Sequence, residues 1–469
     1  MKDNICSAQG PTTCGSRILN GFRSPFTADA VQRIQDAGGI YGGATNMDEF
    51  GMGSHSVYSS HGPVRNAISQ KLSAGGSSGG SAVAVATNQC FAALGTDTGG
   101  SVRLPAAYNS IVGFKPTYGY LSRWGLTAYA NSLDTIGILA KRVEDVRDIF
   151  VCLKAEGESN DPTSIAHHLA ARCKPTDARR SDPTTNKTFR IGVPTEYNSS
   201  ELMPSVRAAW SRTLIALQDA GHSIHPISLP ATRSALSAYY VLAPSEASSN
   251  LARYDGVRYG ARSQASIPSV EDDVHNVQSE YADEHEQDVS MAGVNKPSTL
   301  FSNTRGQGLG NEVRRRILLG VYSLSAGAMD NYFIQAQKVR RQVQQDFDSV
   351  FAAANPLTDA NEDTVSCTET PNSVKVDFVL TPTAQSLPPE IDEIQQRDAL
   401  DAYSADVLTV PASLAGLPAI NVPVPLGDEV VGYEGVQTTG MQIIGQVGRD
   451  DEVLKAAEVV EQIFENQRG

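Results

Sequence analysis

With 469 residues, 40% of them hydrophobic, the chain can bury a large core, and α/β enzymes of this length often form one unit. Its 38 Lys and Arg against 52 Asp and Glu leave a formal net charge of -14 without any long basic cluster, which weighs against the chain gripping nucleic-acid phosphates by itself. The six scattered cysteines form no CxxC pair and read as reduced thiols rather than a disulfide frame or zinc site, and no apolar run approaches the roughly 20 residues that span a bilayer.

Taken in chain order, Met1 to Gly21 is rich in Thr, Ser and Gly and carries one lysine, Lys2. Neither a signal peptide nor an Arg-rich presequence is visible there. Thr27 is placed to cap a short helix running through Ala37, which Gly38 and Gly39 end. Residues 40 to 66 are again rich in Gly, Ser and Asn, with TNMDEFGMGS inside. The stretch Lys71 to Pro105 follows, and after it a strand is expected at Ile111 to Phe114 and a helix from about Val143 to Phe150. A polar connection then runs up to Lys187. Strands at Phe189 to Val193 and Ile224 to Ile227, with Val206, Trp210, Leu214 and Leu217 at helical spacing between them, predict one β-α-β passage. From Ser263 to Asn311 the chain is polar and acidic, so loops and surface helices are expected. Val339, Val343, Phe347 and Val350 mark a long amphipathic helix. Thr358 to Lys375 reads as a mobile insertion. Strands at Phe378 to Leu380, Ile420 to Val424 and Met441 to Ile444 precede a C-terminal helix from about Glu452 to Phe464.

The stretch KLSAGGSSGGSAVAVATNQCFAALGTDTGGSVRLP at 71 to 105 sets Ser77, Ser78, Ser81 and Ser101 among two glycine clusters. Glycine permits backbone conformations that a Cβ forbids, so the clusters point to backbone brought right up to a ligand. A glycine-rich turn capped by serines remains open for either cluster alone. Gly75 to Gly79 satisfies G-x-S-x-G, but the nucleophile elbow needs a buried strand before it, and QKLSAGG stands there instead. No G-x-x-x-x-G-K-[ST] phosphate loop occurs.

The motifs KDNIC at 2 to 6, TNMDEF at 45 to 50, GGSSGGSA at 75 to 82, GTDTGGSVRLPA at 95 to 106, GFKPTYG at 113 to 119 and SLDTIG at 132 to 137 resemble, in order and spacing, those of the amidase signature enzymes. The resemblance implies a single α/β domain over 1 to 469, a mixed twisted sheet flanked by helices; within it the hydrophilic segments 263 to 311 and 358 to 375 are expected as mobile insertions. It also implies Ser101 as nucleophile, Ser77 as bridging serine and Lys2 as base, with a cis peptide between Gly76 and Ser77. The physics agrees with such roles. A serine needs a base to take its proton, a lysine serves only when burial or a neighbouring charge keeps part of it neutral, and a hydroxyl both donates and accepts. The amides of Thr98, Gly99, Gly100 and Ser101 suit an oxyanion hole, because glycines let successive N–H groups turn toward one point.

Within that family NEVRRRILLGVYSLSAG at 311 to 327, AQKVRRQVQQDF at 336 to 347 and DALDAYSADVLTVPASLAGLPAINVP at 398 to 423 are similar to the A subunits of glutamyl-tRNA(Gln) amidotransferases. On matching positions Arg316 would meet the α-carboxylate of glutamine and Asp406 its α-ammonium, as a zwitterion requires. The resemblance further implies two kinds of partner, a B subunit plus a small third subunit. The B subunit would hold ATP and magnesium and most of the tRNA(Gln) contact; no cofactor is expected in this chain, and no membrane. A mitochondrial location follows from the same likeness, with a bacterial cytoplasm as the alternative. The family pattern also sets a helical region and a strand before the lysine. A misassigned start or a shortened form is therefore expected, with Lys2 near a fraying terminus. Two other readings stay open: a stand-alone amidase, and a catalytically impaired structural subunit.

Overall fold

The computed structural model describes residues 1–154, 160–165, 169, 188–262, 300–358, 374–396, 403–427 and 435–465. Eight strands form one mixed sheet: β1 (Ala92–Asp97), β2 (Val112–Lys115), β3 (Thr135–Ala140), β4 (Arg190–Pro194), β5 (Ser223–Ile227), β6 (Phe378–Pro382), β7 (Ala419–Pro425) and β8 (Thr438–Ile444). Their order is β1-β3-β2-β7-β8-β6-β4-β5. The β1/β3, β2/β3, β2/β7, β7/β8 and β6/β8 pairs run antiparallel, while β4 runs parallel to both β5 and β6. The expected β-α-β passage is present at the parallel end, where the helix Pro204–Asp219 joins β4 to β5 and buries Val206, Trp210 and Leu217.

Side chains alternate between the two faces of a strand, and here both faces are covered. Ala93 of β1 and Leu139 of β3 pack with Ala82 and Val85 of the helix Gly79–Ala86, and with Val102 and Ala106 around the helix Arg103–Tyr108. Their neighbours Leu94 and Ile138 turn to the larger core, which also holds Val146 and Phe150 of the helix Val143–Leu153. This two-sided burial makes β3 and β8 buried along their whole length.

The strands expected at Ile111, Phe189, Ile224, Phe378, Ile420 and Met441 all form, with ends within three residues of the expected ones. The amphipathic helix spans Phe333–Val350 and the C-terminal one Asp450–Glu465. Thr27 does not cap the first helix, Asp29–Asp36; its Oγ1 accepts instead from the Ala8 amide at 3.2 Å. Most of 263–311 and 358–375 lies outside the described residues; the first segment ends in the helix Leu300–Gly308. Among the described residues no helix is long and apolar enough to cross a membrane.

Candidate active site

The two glycine clusters end up on neighbouring elements. Ser77 and Ser78 immediately precede the helix Gly79–Ala86, and Thr98 to Ser101 link the end of β1 to the helix Arg103–Tyr108. Lys2 reaches them from the other side. Its amide donates to Leu94 O of β1 at 2.9 Å, the Thr45 amide donates to Met1 O at 2.8 Å, and the terminal ammonium donates to Gly43 O at 2.9 Å. The fraying expected of a residue so near the chain start is therefore not found, because backbone bonds tie Met1 and Lys2 between β1 and the 43–45 segment.

The Lys2 side chain is fully buried. Its Nζ lies 2.6 Å from Ser77 Oγ, 2.8 Å from Thr96 Oγ1 and 3.3 Å from Thr96 O. Burial pushes its pKa down to about 7, against the pull of Asp48, Asp97 and Asp134. No carboxylate among the described residues lies within ion-pair distance of it. An amine so placed is partly neutral at physiological pH, and in that state it accepts a proton from a hydroxyl. The Gly76–Ser77 peptide is cis, as the resemblance implies.

Ser101 joins this group through the backbone. Its carbonyl accepts from the Ser78 amide at 3.1 Å, and Ser78 Oγ in turn donates to Thr96 O at 3.1 Å. Among the described residues no direct hydrogen bond links Ser101 Oγ to Ser77 Oγ. The structure thus forms the Lys2–Ser77 link and leaves the Ser101 hydroxyl uncommitted.

In the loop from Thr98 to Ser101 the carbonyls of Gly99, Gly100 and Ser101 are held while the amides are not. Gly99 O accepts from Thr409 Oγ1 at 2.6 Å, and Gly100 O accepts from the Leu104 amide at 2.8 Å. A trans peptide points its N–H opposite its carbonyl, so the Gly100 and Ser101 N–H groups face away from these partners. Among the described residues, the amides of 98 to 101 donate to no protein group. Gly100 adopts φ 140°, and a Cβ there would overlap Thr409; one on Gly99 would meet the Tyr239 ring at 2.6 Å. Only glycines fit. Thr98 is fixed by its side chain, whose Oγ1 donates to Asp134 Oδ1 at 2.7 Å. Asp134 also borders a cavity of about 560 Å³ that Trp124, Tyr254 and Arg258 help to line.

Several residues that hold the site carried no role in the sequence reading. Asp97 and Arg103, on either side of the loop, form a fully buried ion pair through Nε (3.0 Å) and Nη2 (2.8 Å). Burial raises the Asp97 carboxyl, but the guanidinium outweighs it and holds the group below the usual carboxylate range. Arg103 also donates to Thr409 O and Ser413 Oγ, at 2.9 and 2.8 Å, and to Gln442 Oε1. The signal was available: two opposite charges in GTDTGGSVRLPA, a run otherwise small and apolar, must pair if that run is buried. Asp48 of TNMDEF sits against the cis peptide, accepting from the Ser56 and Tyr58 amides at 2.8 and 2.9 Å, and burial pushes it up to about 6.

Arg316 and Asp406 come into one aromatic cluster. Tyr240 stands between them: its hydroxyl donates to Asp406 Oδ2 at 3.0 Å, and Arg316 lies 5.2 Å over its ring. Ser54 Oγ donates to the same Asp406 oxygen at 2.7 Å, and burial pushes this carboxyl up to about 6. Arg316 is buried; its Nε donates to Glu312 Oε1 at 2.7 Å and its Nη1 to Tyr129 Oη at 2.9 Å. Glu312, one helical turn earlier on Asn311–Ser323, also accepts from Tyr403 at 2.8 Å. The cluster reaches the glycine loop twice, through Tyr239 against Gly99 and through Thr409, whose amide donates to Asp406 O at 3.1 Å.

Comparison with known proteins agrees with this architecture. The family model described as Amidase matches residues 1–454. The A subunit of the mitochondrial glutamyl-tRNA(Gln) amidotransferase of Emericella nidulans is 54% identical over 98% of this chain and 88% of its own length; that of Neurospora crassa is 46% identical over 100% and 90%. Among solved structures, the A subunit of glutamyl-tRNA(Gln) amidotransferase from Thermotoga maritima is 33% identical, with a TM-score of 0.69 over 98% of this chain and 82% of that one. A 6-aminohexanoate cyclic dimer hydrolase, 20% identical with a TM-score of 0.69, shares the fold. The chain therefore belongs to the amidase family, where it is homologous over nearly its whole length to A subunits of glutamyl-tRNA(Gln) amidotransferase.

Proposed function

We propose that this chain is the glutaminase subunit of a mitochondrial glutamyl-tRNA(Gln) amidotransferase. The observation that carries the reading is the buried Lys2 amine, 2.6 Å from Ser77 Oγ with its pKa lowered to about 7. In the acylation step Ser101 Oγ attacks the side-chain carbonyl of glutamine. Its proton passes to Ser77 as Ser77 gives its own to neutral Lys2. The carbonyl oxygen gains negative charge and is met by the amides of 98 to 101. The C–N bond then breaks, and the relayed proton returns to the departing nitrogen as ammonia. Water repeats the sequence on the acyl ester, so that glutamine and water yield glutamate and ammonia.

Arg316 would take the substrate α-carboxylate with Nη2, which neither Glu312 nor Tyr129 engages, and ionised Asp406 would take the α-ammonium. The ammonia would pass to a partner B subunit that amidates glutamate carried on tRNA(Gln), with ATP and magnesium bound there and a small third subunit in the assembly. The names of the relatives support this reading, as does an acidic chain that leaves tRNA contact to its partner. The test is ammonia release by the purified chain, alone and with the partner and charged tRNA. Turnover of glutamine over simple aliphatic amides is expected; turnover of aliphatic amides without glutamine would overturn the assignment in favour of a stand-alone amidase.

A further inference from the structure

The helix Asn311–Ser323 has two faces with different work. Inward, Glu312 and Arg316 enter the aromatic cluster, and Gly320 meets the Pro244 carbonyl so closely that a Cβ would overlap it. Outward, the same helix exposes Leu318 (70%), Leu319, Val321 (55%) and Tyr322 (58%). The turn that follows extends this surface with Met329 and Tyr332, the latter joined to Tyr322 by a ring contact of 5.8 Å. Residues 314, 315, 318, 321 and 322 fall on one side of a 3.6-residue helix, so Arg314 and Arg315 border the same face.

Single exposed apolar residues need no explanation, but several large ones gathered along one helix face and its following turn are the kind of patch that commonly marks an interaction site. We infer that the outer face from Arg314 to Tyr332 is the docking surface for a partner protein subunit, one that presents an apolar ridge bordered by carboxylates. Charge selects this occupant. Arg314, together with half-exposed Arg315, whose charge is only partly offset because Glu312 is shared with Arg316, sets positive charge beside the apolar centre of a chain of net charge -14 and complements an acidic border. A twofold pairing of this chain with itself would instead set the arginine borders of identical patches into the same interface. A nucleic acid would gain nothing from the apolar centre. The inference rests on the proposed function in one respect: it takes the partner to be the ammonia-consuming subunit.

The test is binding of the full chain to the tRNA-amidating subunit from the same source, with a Leu318→Asp/Tyr322→Asp variant beside the unaltered chain. Affinity is expected to fall about 100-fold or more, as for the loss of central interface anchors, while labelling of Ser101 by a serine-reactive amide analogue is unchanged. Arg314→Glu should slow association and flatten its salt dependence. Ile40→Asp, at a position 95% exposed outside the patch, should bind as the unaltered chain does. Should the double variant misfold, Leu318→Ser alone gives the same reading in smaller measure. Unaltered affinity in the double variant would overturn the proposal, as would self-association of the unaltered chain that the variant abolishes. A chain that hydrolyses glutamine yet binds no such subunit would overturn the docking surface and leave the glutaminase reading standing; one that binds through this face without hydrolysing glutamine would do the reverse.

Discussion

At the scale of single residues, the site depends on charges kept where water cannot reach them. Burial lowers the Lys2 pKa to about 7, from an ordinary value of 10.5. Between those two values the unfolded chain binds more protons than the folded one, so this group makes stability rise with pH from about 7 toward 10.5, and its penalty is full below 7. Lys2→Met, of similar length and without charge, is therefore expected to raise the melting temperature more at pH 6 than at pH 9, a comparison two thermal scans make. Arg103 presents the opposite case. Its carboxylate partner Asp97 is equally buried, so Arg103→Met leaves a charge without its counterion and should cost about 3–5 kcal/mol in denaturant unfolding. A loss below about 1 kcal/mol would contradict the role given to the pair.

At the scale of elements, the loop between β1 and the helix Arg103–Tyr108 is set by what grips its carbonyls. Thr409 Oγ1 on Gly99 and the Leu104 amide on Gly100 turn the next N–H groups outward together. Gly100→Ala would meet Thr409 and strain a φ of 140°, tilting those amides. The expected result is a kcat lower by about 10² to 10³ with KM little changed, the pattern of a lost transition-state contact. Sequence legibility divides along similar lines. Strands with clear apolar runs, such as Phe378–Pro382, could be placed, and so could the helix marked by Val343 and Phe347. β1 and β3 were not anticipated: AALGTD places Ala and Gly where β-branched residues would signal a strand, and TIGILA, though it carries Thr135, Ile136 and Ile138, is a short run broken by a glycine. Lys2, Ser77 and Ser101 were legible through motif order, and the structure brings Lys2 and Ser77 together. The residues holding them were not. Thr409 lies 310 residues from Gly99, and a contact between positions so far apart leaves no local pattern.

At the scale of the whole molecule, the sheet brings together segments from the start, middle and end of the chain. Lys2 comes from the first residues, the serines from the stretch before and after β1, Arg316 from a helix packed on Ala235–Asn250, and Asp406 from the turn before the helix Val410–Leu414. The central claim is that Lys2 activates Ser101 through Ser77. The most direct measurement is the rate at which a serine-reactive amide analogue forms an adduct on Ser101, followed by intact mass from pH 5.5 to 9. The account predicts a rate that rises through one ionisation near pH 7 and is lost in Lys2→Ala. A rate flat across that range, or unchanged by removing the lysine, would contradict it.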